Sequence, residues 1–192
     1  MIPMAATFTH IAILAWAILC LVWLPGSLVK KRSLRTPRIG AQLVVTMLIA
    51  ASFALLFGAA RTSFNPRLLA APAWLAACGD ALCWAAVLFA IWARVTLGRN
   101  WSGAVASLQE EHELVQSGPY AVVRHPIYAG VLCAMLGTAL TIGTVAGYLA
   151  VVLAFVAFLM RIGIEEELMA AEFPRSYPAY RKRTSALLPA IW

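Results

Sequence analysis

Long uncharged runs of hydrophobic residues, separated by short polar connections, make up most of this chain. A hydrocarbon core of about 30 Å is crossed by an α-helix of about 20 apolar residues, and each run approaches or exceeds that length. The pattern therefore predicts an all-α membrane protein with five transmembrane helices. The predicted spans cover residues 8–29, 39–60, 73–95, 126–143 and 144–164.

The last two spans come from one uncharged stretch that is too long for a single crossing. From Ile127 to Met160 it would reach roughly 50 Å as one helix, at about 1.5 Å per residue. Residues 141–147, TIGTVAG, contain two glycines and several β-branched residues, and they predict the break. The resulting helical hairpin returns the chain to the membrane face at which it began.

The hairpin predicts that two groups of ionisable residues, far apart in sequence, lie together at one membrane face. The groups are Arg124, His125 and Tyr128 before or at the start of the hairpin, and Arg161, Glu165 and Glu166 at its end. Taken singly, His125 is explained as a helix cap and Arg161 with Glu165 as an ion pair at i, i+4. Their convergence at one membrane face indicates a functional site.

Positive charge predicts the orientation of the spans. Residues 30–38, KKRSLRTPR, form the most basic connection, and residues 181–183 add a second basic cluster. In the five-span arrangement only Arg61 and Arg67 of the fifteen lysines and arginines lie at the opposite face. Because short cytoplasmic connections are rich in Lys and Arg, we expect the N-terminus outside and the C-terminus in the cytoplasm. We expect a multi-pass protein of the inner membrane with its site facing the cytoplasm.

Composition excludes several other classes of protein. With 62% hydrophobic and 12% charged residues, we expect one integral membrane domain over residues 1–192 rather than a soluble protein. The formal net charge is +7, but no basic stripe alternates with aromatic residues, so we expect no nucleic-acid partner. The N-terminus lacks the pattern of a secretory signal, and we expect its first apolar run to remain as a span.

Several residues within or beside the spans have predicted structural roles. The four cysteines lack metal-ligand spacing and are expected to be buried thiols, with no metal: Cys20, Cys78, Cys83 and Cys133. Trp16 and Trp23 are expected to be interfacial anchors. For Asp80, inside the third span, a structural hydrogen bond is favoured over catalysis. The tail is expected to form a short interfacial helix with aromatic residues on one face, namely Phe173, Tyr177 and Tyr180.

Two segments beside the hairpin carry a recognisable signature. Residues 112–130 read HELVQSGPYAVVRHPIYAG, and residues 161–180 read RIGIEEELMAAEFPRSYPAY. In order and spacing these segments closely resemble the isoprenylcysteine carboxyl methyltransferase family and its wider phospholipid methyltransferase relatives. The resemblance covers a methyltransferase core of about residues 95–190, including LGRNWSG at 97–103, whereas the first two spans carry no comparable signature.

The resemblance implies an integral membrane enzyme that uses S-adenosylmethionine near the cytoplasmic face. The methyl acceptor would be a lipophilic small molecule or a prenylated cysteine that enters from the lipid bilayer. Arg161 would hold the acceptor and act in catalysis. The implied cofactor-binding residues are His112, Glu113, Leu114, Val115, Tyr120, His125, Pro126, Ile127, Tyr128 and Glu165, and no metal is implied.

The expected reaction is methylation of the carboxylate of an isoprenylcysteine-like molecule. An ionised carboxylate needs no general base to displace the methyl group, so positioning is the main contribution. An arginine beside the transferred methyl favours such an acceptor over a cationic amine. Three alternatives stay open: a phospholipid N-methyltransferase with His125 or a glutamate as base, a nicotinamide-dependent membrane reductase, and a non-enzymatic membrane scaffold or small transporter.

Overall fold

The fold is known from a computed structural model, which describes residues 4–28, 33–35, 39–58, 72–98, 108–109 and 113–189. Helices make up most of this part of the chain. The long helices are α1 (Met4–Leu28), α2 (Ile39–Gly58), α3 (Ala73–Leu97), α4 (Pro126–Ile142) and α5 (Val145–Glu172). A 3-10 turn at Gly118–Ala121 precedes α4, and a short helix α6 (Tyr177–Arg183) follows α5. Two short strands, β1 (Ser33–Arg35) and β2 (Leu108–Gln109), pair antiparallel, which the hydropathy pattern does not predict.

The five predicted spans coincide with the five long helices. By length and composition α2, α3 and α5 can each cross a membrane. The segment His10–Leu24 of α1 and the whole of α4 are apolar but shorter. The structure therefore confirms apolar membrane helices, whereas the crossing of all five and the orientation of the bundle stay predictions.

The predicted hairpin break lies between α4 and α5. Gly143 has a φ of 70°, in the left-handed region that favours glycine, and its N–H donates to the carbonyl of Ala139 at 2.8 Å. Thr144 then caps α5, because its hydroxyl oxygen accepts from the N–H of Gly147 at 3.3 Å. Helix α5 continues past the predicted end of its span at residue 164 as far as Glu172. This extension carries Glu165 and Glu166 on the same helix as Arg161.

Helices α3 and α4 pack so closely that their backbones touch. A Cβ atom built on Gly137 would lie 2.5 Å from the carbonyl oxygen of Gly79, and one on Gly130 would lie 2.8 Å from the Cβ of Ala90. Small residues allow helices in lipid to approach in this way, where close packing rather than water exclusion drives association. The contact fixes the start of α4, from which His125 and Tyr128 project, against α3.

The side-chain contacts in the bundle confirm one sequence prediction and correct another. Thr141 of α4 donates a hydrogen bond to Oδ1 of the buried Asp80 at 3.0 Å, which is the structural role predicted for this acid. Trp16 was expected at the interface, but its ring is buried and its Nε1 donates to the hydroxyl of Thr138 at 2.9 Å. Trp23 packs against the same core. The interfacial prediction for Trp16 is wrong because a buried indole can bond to a polar group of a neighbouring helix.

The cysteines do not share one environment. Cys83 is buried, as predicted, and Cys133 is half-buried, whereas Cys20 and Cys78 are exposed on the surface of the bundle. The prediction of buried thiols is therefore wrong for the last two. Their apolar neighbours in sequence are satisfied equally well by lipid contact, so hydropathy does not separate the two environments.

Replacing Thr141 by valine is expected to lower the free energy of unfolding by about 1–3 kcal/mol, because Asp80 would stay buried without its hydroxyl donor. Thermal melting in detergent measures the change. Thr141→Ser keeps the hydroxyl and should melt close to the wild type. Equal melting temperatures for the valine and serine variants would contradict this account of Asp80.

Candidate active site

The segment before α4 begins the site. Gly118 has a φ of 57° and starts the 3-10 turn, which leads to His125 at the N-terminal cap of α4. Pro126 occupies the first helical position, where its missing N–H removes no helical hydrogen bond. His125 occupies the predicted capping position, although its side chain makes no capping hydrogen bond. The imidazole is instead directed at α5.

Glu165 lies at the centre of the cluster of ionisable side chains that the two ends of the hairpin bring together. Its Oε1 accepts from the hydroxyl of Tyr128 at 2.5 Å and from Nε of Arg161 at 3.0 Å. Its Oε2 lies 3.5 Å from Nδ1 of His125. The predicted convergence of the two ends of the hairpin is therefore confirmed. The i, i+4 ion pair between Arg161 and Glu165 is present as well. The interpretation of these residues as an ion pair and the prediction that the two ends of the hairpin converge are therefore both correct.

Glu166 forms the second half of the cluster and faces the C-terminal tail. Its Oε1 accepts from Nε of Arg124 at 2.7 Å and lies 3.5 Å from Nε2 of His125. Its Oε2 lies 3.2 Å from Nε of Arg181 on α6. The imidazole of His125 thus lies between the two carboxylates and connects the two halves of the cluster.

Aromatic rings form a wall beside these charges. The rings of His125 and Tyr128 are stacked with centroids 5.5 Å apart, and those of Tyr128 and Phe158 are stacked at 4.8 Å. The guanidinium of Arg161 lies over the ring of Tyr128, 5.4 Å from its centroid. The stack leads from the charged cluster into the apolar bundle. It shields the pair of Arg161 and Glu165 from water, which strengthens interactions of this charge pair.

The two carboxylates beside His125 favour its protonated form. Burial opposes the charged form, but the neighbouring carboxylates of Glu165 and Glu166 outweigh burial and raise the pKa of His125 above its usual 6.5. A protonated imidazole cannot accept a further proton, so a raised pKa makes His125 less available as a general base.

The raised pKa of His125 predicts how stability depends on pH. Because the pKa in the folded protein exceeds the unfolded value of 6.5, the stabilisation is fully present below pH 6.5. It is lost as pH rises through the folded-state pKa. The melting temperature of the wild type should fall as pH rises above 6.5, and the fall should be smaller in His125→Gln. His10→Gln changes an exposed histidine of α1 and should behave as the wild type. An identical fall in His125→Gln would contradict the assignment.

The tail covers the cluster with part of the predicted aromatic face. Tyr177 and Tyr180 lie on α6 and are buried, and the hydroxyl of Tyr180 donates to the carbonyl of Tyr120 at 2.8 Å. Phe173 does not belong to this face, because it ends α5 as its C-terminal cap. The prediction of one aromatic face is therefore correct for the two tyrosines and wrong for Phe173. Tyr180 reaches the GPYA turn through its hydroxyl, and the ring of Tyr177 packs edge-on against that of Tyr180, with centroids 6.1 Å apart.

The structure brings most, but not all, of the predicted cofactor residues to the cluster. His125, Pro126, Ile127, Tyr128 and Glu165 lie in it or beside it. Burial, together with Tyr180 and Glu165, raises the pKa of Tyr120, so this ring lies within the electrostatic reach of the cluster. Glu113, Leu114 and Val115 lie in the irregular segment before the turn. His112 falls outside the described residues. The predicted set omits Arg124, Glu166 and Phe158, although Phe158 lies three residues before Arg161, at helical spacing.

Comparisons with known proteins connect this geometry to a family. The phospholipid methyltransferase family profile matches residues 74–176, which include α3 apart from its first residue and the cluster apart from Arg181. Among curated proteins, the chain is similar to the protein-S-isoprenylcysteine O-methyltransferase of Schizosaccharomyces pombe, at 38% identity over 52% of this chain and 43% of that protein. It is also similar to the cobalt-zinc-cadmium resistance protein CzcN of Cupriavidus metallidurans, at 35% identity over 80% of this chain and 64% of that protein.

A solved structure shares the fold. The eukaryotic intramembrane Ras methyltransferase ICMT aligns with a TM-score of 0.57 and 23% identity, over 81% of this chain and 55% of that chain. This chain spans about half the length of the curated relatives that it matches. The family profile covers more than half of the present chain. The chain therefore belongs to the phospholipid methyltransferase family, with isoprenylcysteine O-methyltransferases among its relatives.

Proposed function

We propose that this protein is a membrane methyltransferase that uses S-adenosylmethionine to methylate the carboxylate of a lipophilic acceptor, such as an isoprenylcysteine-like molecule. The observation that carries the proposal is the pair of Arg161 and Glu165 beside Tyr128. It sets a carboxylate and a guanidinium together where the hairpin ends. The cofactor would supply a methyl group on a positively charged sulfur, and the pair offers one charge of each sign for two ligands.

The donor and acceptor groups of the cluster fit this cofactor. The carboxylate of Glu165 is the partner that an ammonium group requires, and a charge-assisted bond of this kind is strong when shielded from water. The ring of Tyr128 offers a flat face, and Leu114, Val115 and Ile127 supply half-buried apolar contacts for adenine. We place Glu165 at the amino group of the cofactor and the remaining predicted residues, including His112 and Glu113, along its length.

Arg161 is assigned to the acceptor. Its Nε points to Glu165, and a guanidinium carries further N–H donors in a fixed plane that suits a carboxylate. An acceptor that is already ionised needs no base, so the residues contribute orientation and exclusion of water. The stack of Tyr128 on Phe158 supplies the apolar wall. The raised pKa of His125 agrees with this reaction, because methylation of a protonated amine would need a base that is free to take up a proton.

The membrane arrangement belongs to the proposal. We place all five long helices across the inner membrane, with the N-terminus outside and the C-terminus in the cytoplasm. The exposed basic residues 181–183 of α6 support this orientation, because they lie at the same end as the cluster. The site then opens at the cytoplasmic face, where a soluble cofactor reaches it directly and a lipophilic acceptor reaches it from the bilayer.

The test is methyl transfer by detergent-solubilised protein from labelled S-adenosylmethionine. A prenylated cysteine and a lipid carboxylic acid are offered as acid acceptors, and phosphatidylethanolamine is offered as the amine. Label in the acid products supports the proposal. Label only in the amine lipid would favour the N-methyltransferase that the family description suggests. Binding of reduced nicotinamide dinucleotide without S-adenosylhomocysteine would favour a reductase, and binding of neither would favour a scaffold or transporter.

A further inference from the structure

Arg124 connects two elements that are far apart in the sequence. Its Nε donates to Glu166 on α5 at 2.7 Å. Its Nη1 donates to the carbonyl oxygens of Thr184 and, at 3.2 Å, of Arg181, at the end of α6. The Arg124 side chain is only 8% exposed. One guanidinium therefore holds α5 and the C-terminal tail at the same time.

The backbone around Arg124 pairs with the tail as well. The N–H of Arg124 donates to the carbonyl of Ser185 at 2.8 Å, and that of His125 donates to Ala186 at 3.0 Å. In the opposite direction the N–H of Ser185 donates to the carbonyl of Val122 at 3.1 Å. The segment that delivers His125 to the cluster is thus bonded along its length to the residues that follow α6.

Apolar contacts keep the tail in the same place. Leu187 is buried in a small cluster with Ala129 of α4 and Ile162 of α5. A tail that were only a solvated extension would not bury a leucine or exchange backbone hydrogen bonds with the site. Residues 177–187, named the tail segment here, therefore form one wall of the cluster.

We infer that Arg124 is a positioning residue that latches the tail segment onto α5 and thereby fixes His125 and Glu166 beside Glu165. A guanidinium suits this role because its planar donors reach a carboxylate and carbonyl oxygens together, which a single ammonium on a flexible stem does not. The carbonyls at the end of α6 also carry partial negative charge and lack helical partners, so a cation satisfies them. The effect of the latch on cofactor binding rests on the proposed function, whereas the latch itself does not.

Amide hydrogen exchange on the full chain in detergent tests the latch without any ligand. In Arg124→Ala, exchange of the Ser185 and His125 amides should be about tenfold faster or more, a factor that corresponds to about 1.4 kcal/mol. The same amides in Arg124→Lys should exchange nearly as fast as in Arg124→Ala, because lysine keeps the positive charge but not the planar set of donors. Lys182→Ala removes an exposed cation of α6 and should exchange as the wild type does. Wild-type protection in Arg124→Lys would overturn the assignment.

Ser185→Pro disrupts the same contact by a change in the tail segment. It provides the test in case Arg124→Ala does not fold. Proline removes the N–H that reaches Val122, so the Arg124 and His125 amides should again exchange about tenfold faster. The affinity for S-adenosylhomocysteine should fall about tenfold in both Ser185→Pro and Arg124→Lys and stay unchanged in Lys182→Ala. Faster exchange with unchanged affinity would overturn the positioning role. Failure of the wild type to bind would contradict the proposed function, while the exchange rates still decide the latch.

Discussion

Glu165→Gln is expected to weaken the binding of S-adenosylhomocysteine about 10- to 100-fold, as loss of one buried charge-assisted bond does. A neutral amide cannot pair with an ammonium group. Its NH₂ group would also compete with the donors that now converge on the carboxylate, namely the Tyr128 hydroxyl and Arg161 Nε. Calorimetric titration of the detergent-solubilised protein measures the change.

Glu167→Gln is the matched control for this experiment. Glu167 lies on the same helix two residues further on, its removal changes the net charge equally, and its side chain is exposed. We expect wild-type affinity in this variant. Melting of both variants separates lost binding from lost folding, because Glu165 also has Arg161 and His125 as partners. Wild-type affinity in Glu165→Gln would remove this residue from the cofactor site.

Arg161→Ala is expected to lower methyl transfer about 30-fold or more, because truncating a buried partner of a charged group costs about 2–5 kcal/mol. Affinity for S-adenosylhomocysteine should change little, since Glu165 keeps its bonds from Tyr128 and His125. The acceptor would lose its only assigned cation. Turnover with labelled cofactor and titration of the same preparation measure the two quantities side by side.

Arg161→Lys is the informative companion variant. Lysine keeps the positive charge but presents it as a point rather than as a planar pair of donors, so we expect intermediate turnover. Equal losses of turnover and of S-adenosylhomocysteine affinity in Arg161→Ala would mean that Arg161 serves the cofactor site through Glu165. That result would reverse the roles assigned to the two residues.

The hairpin and the convergence at its end were predictable from the sequence. Ile127 to Met160 exceeds one membrane crossing, and Gly143 supplies the left-handed residue at the break. Once the chain folds back there, Arg161 and Glu165 must return to the level of His125. The length of the apolar run and the position of one glycine therefore suffice to predict which residues lie near one another, although not their individual hydrogen bonds.

The sequence did not predict whether an individual side chain faces the interior of the bundle or the lipid. In a membrane bundle the interior and the lipid are both apolar, so hydropathy does not show that Trp16 turns inward while Cys20 turns outward. The contacts between the tail and the site were not predictable for a different reason. Ser185 and Ala186 bind the site through backbone groups, which carry no residue-type signal. The role of Arg124 follows from that pairing and is visible only in three dimensions.

The close contact between α3 and α4 would restrict the path of the proposed hydrophobic acceptor. Gly79 and Gly137 meet towards one end of these helices, and Gly130 and Ala90 meet towards the other. A hydrocarbon chain is wider than either contact, so it cannot slip sideways between these helices. Val156 and Met160 of α5, which are exposed just before Arg161, offer an apolar track on the outer surface. For the lipid acceptor proposed above, three glycines therefore close the route between α3 and α4, and delivery from the bilayer takes place elsewhere on the bundle.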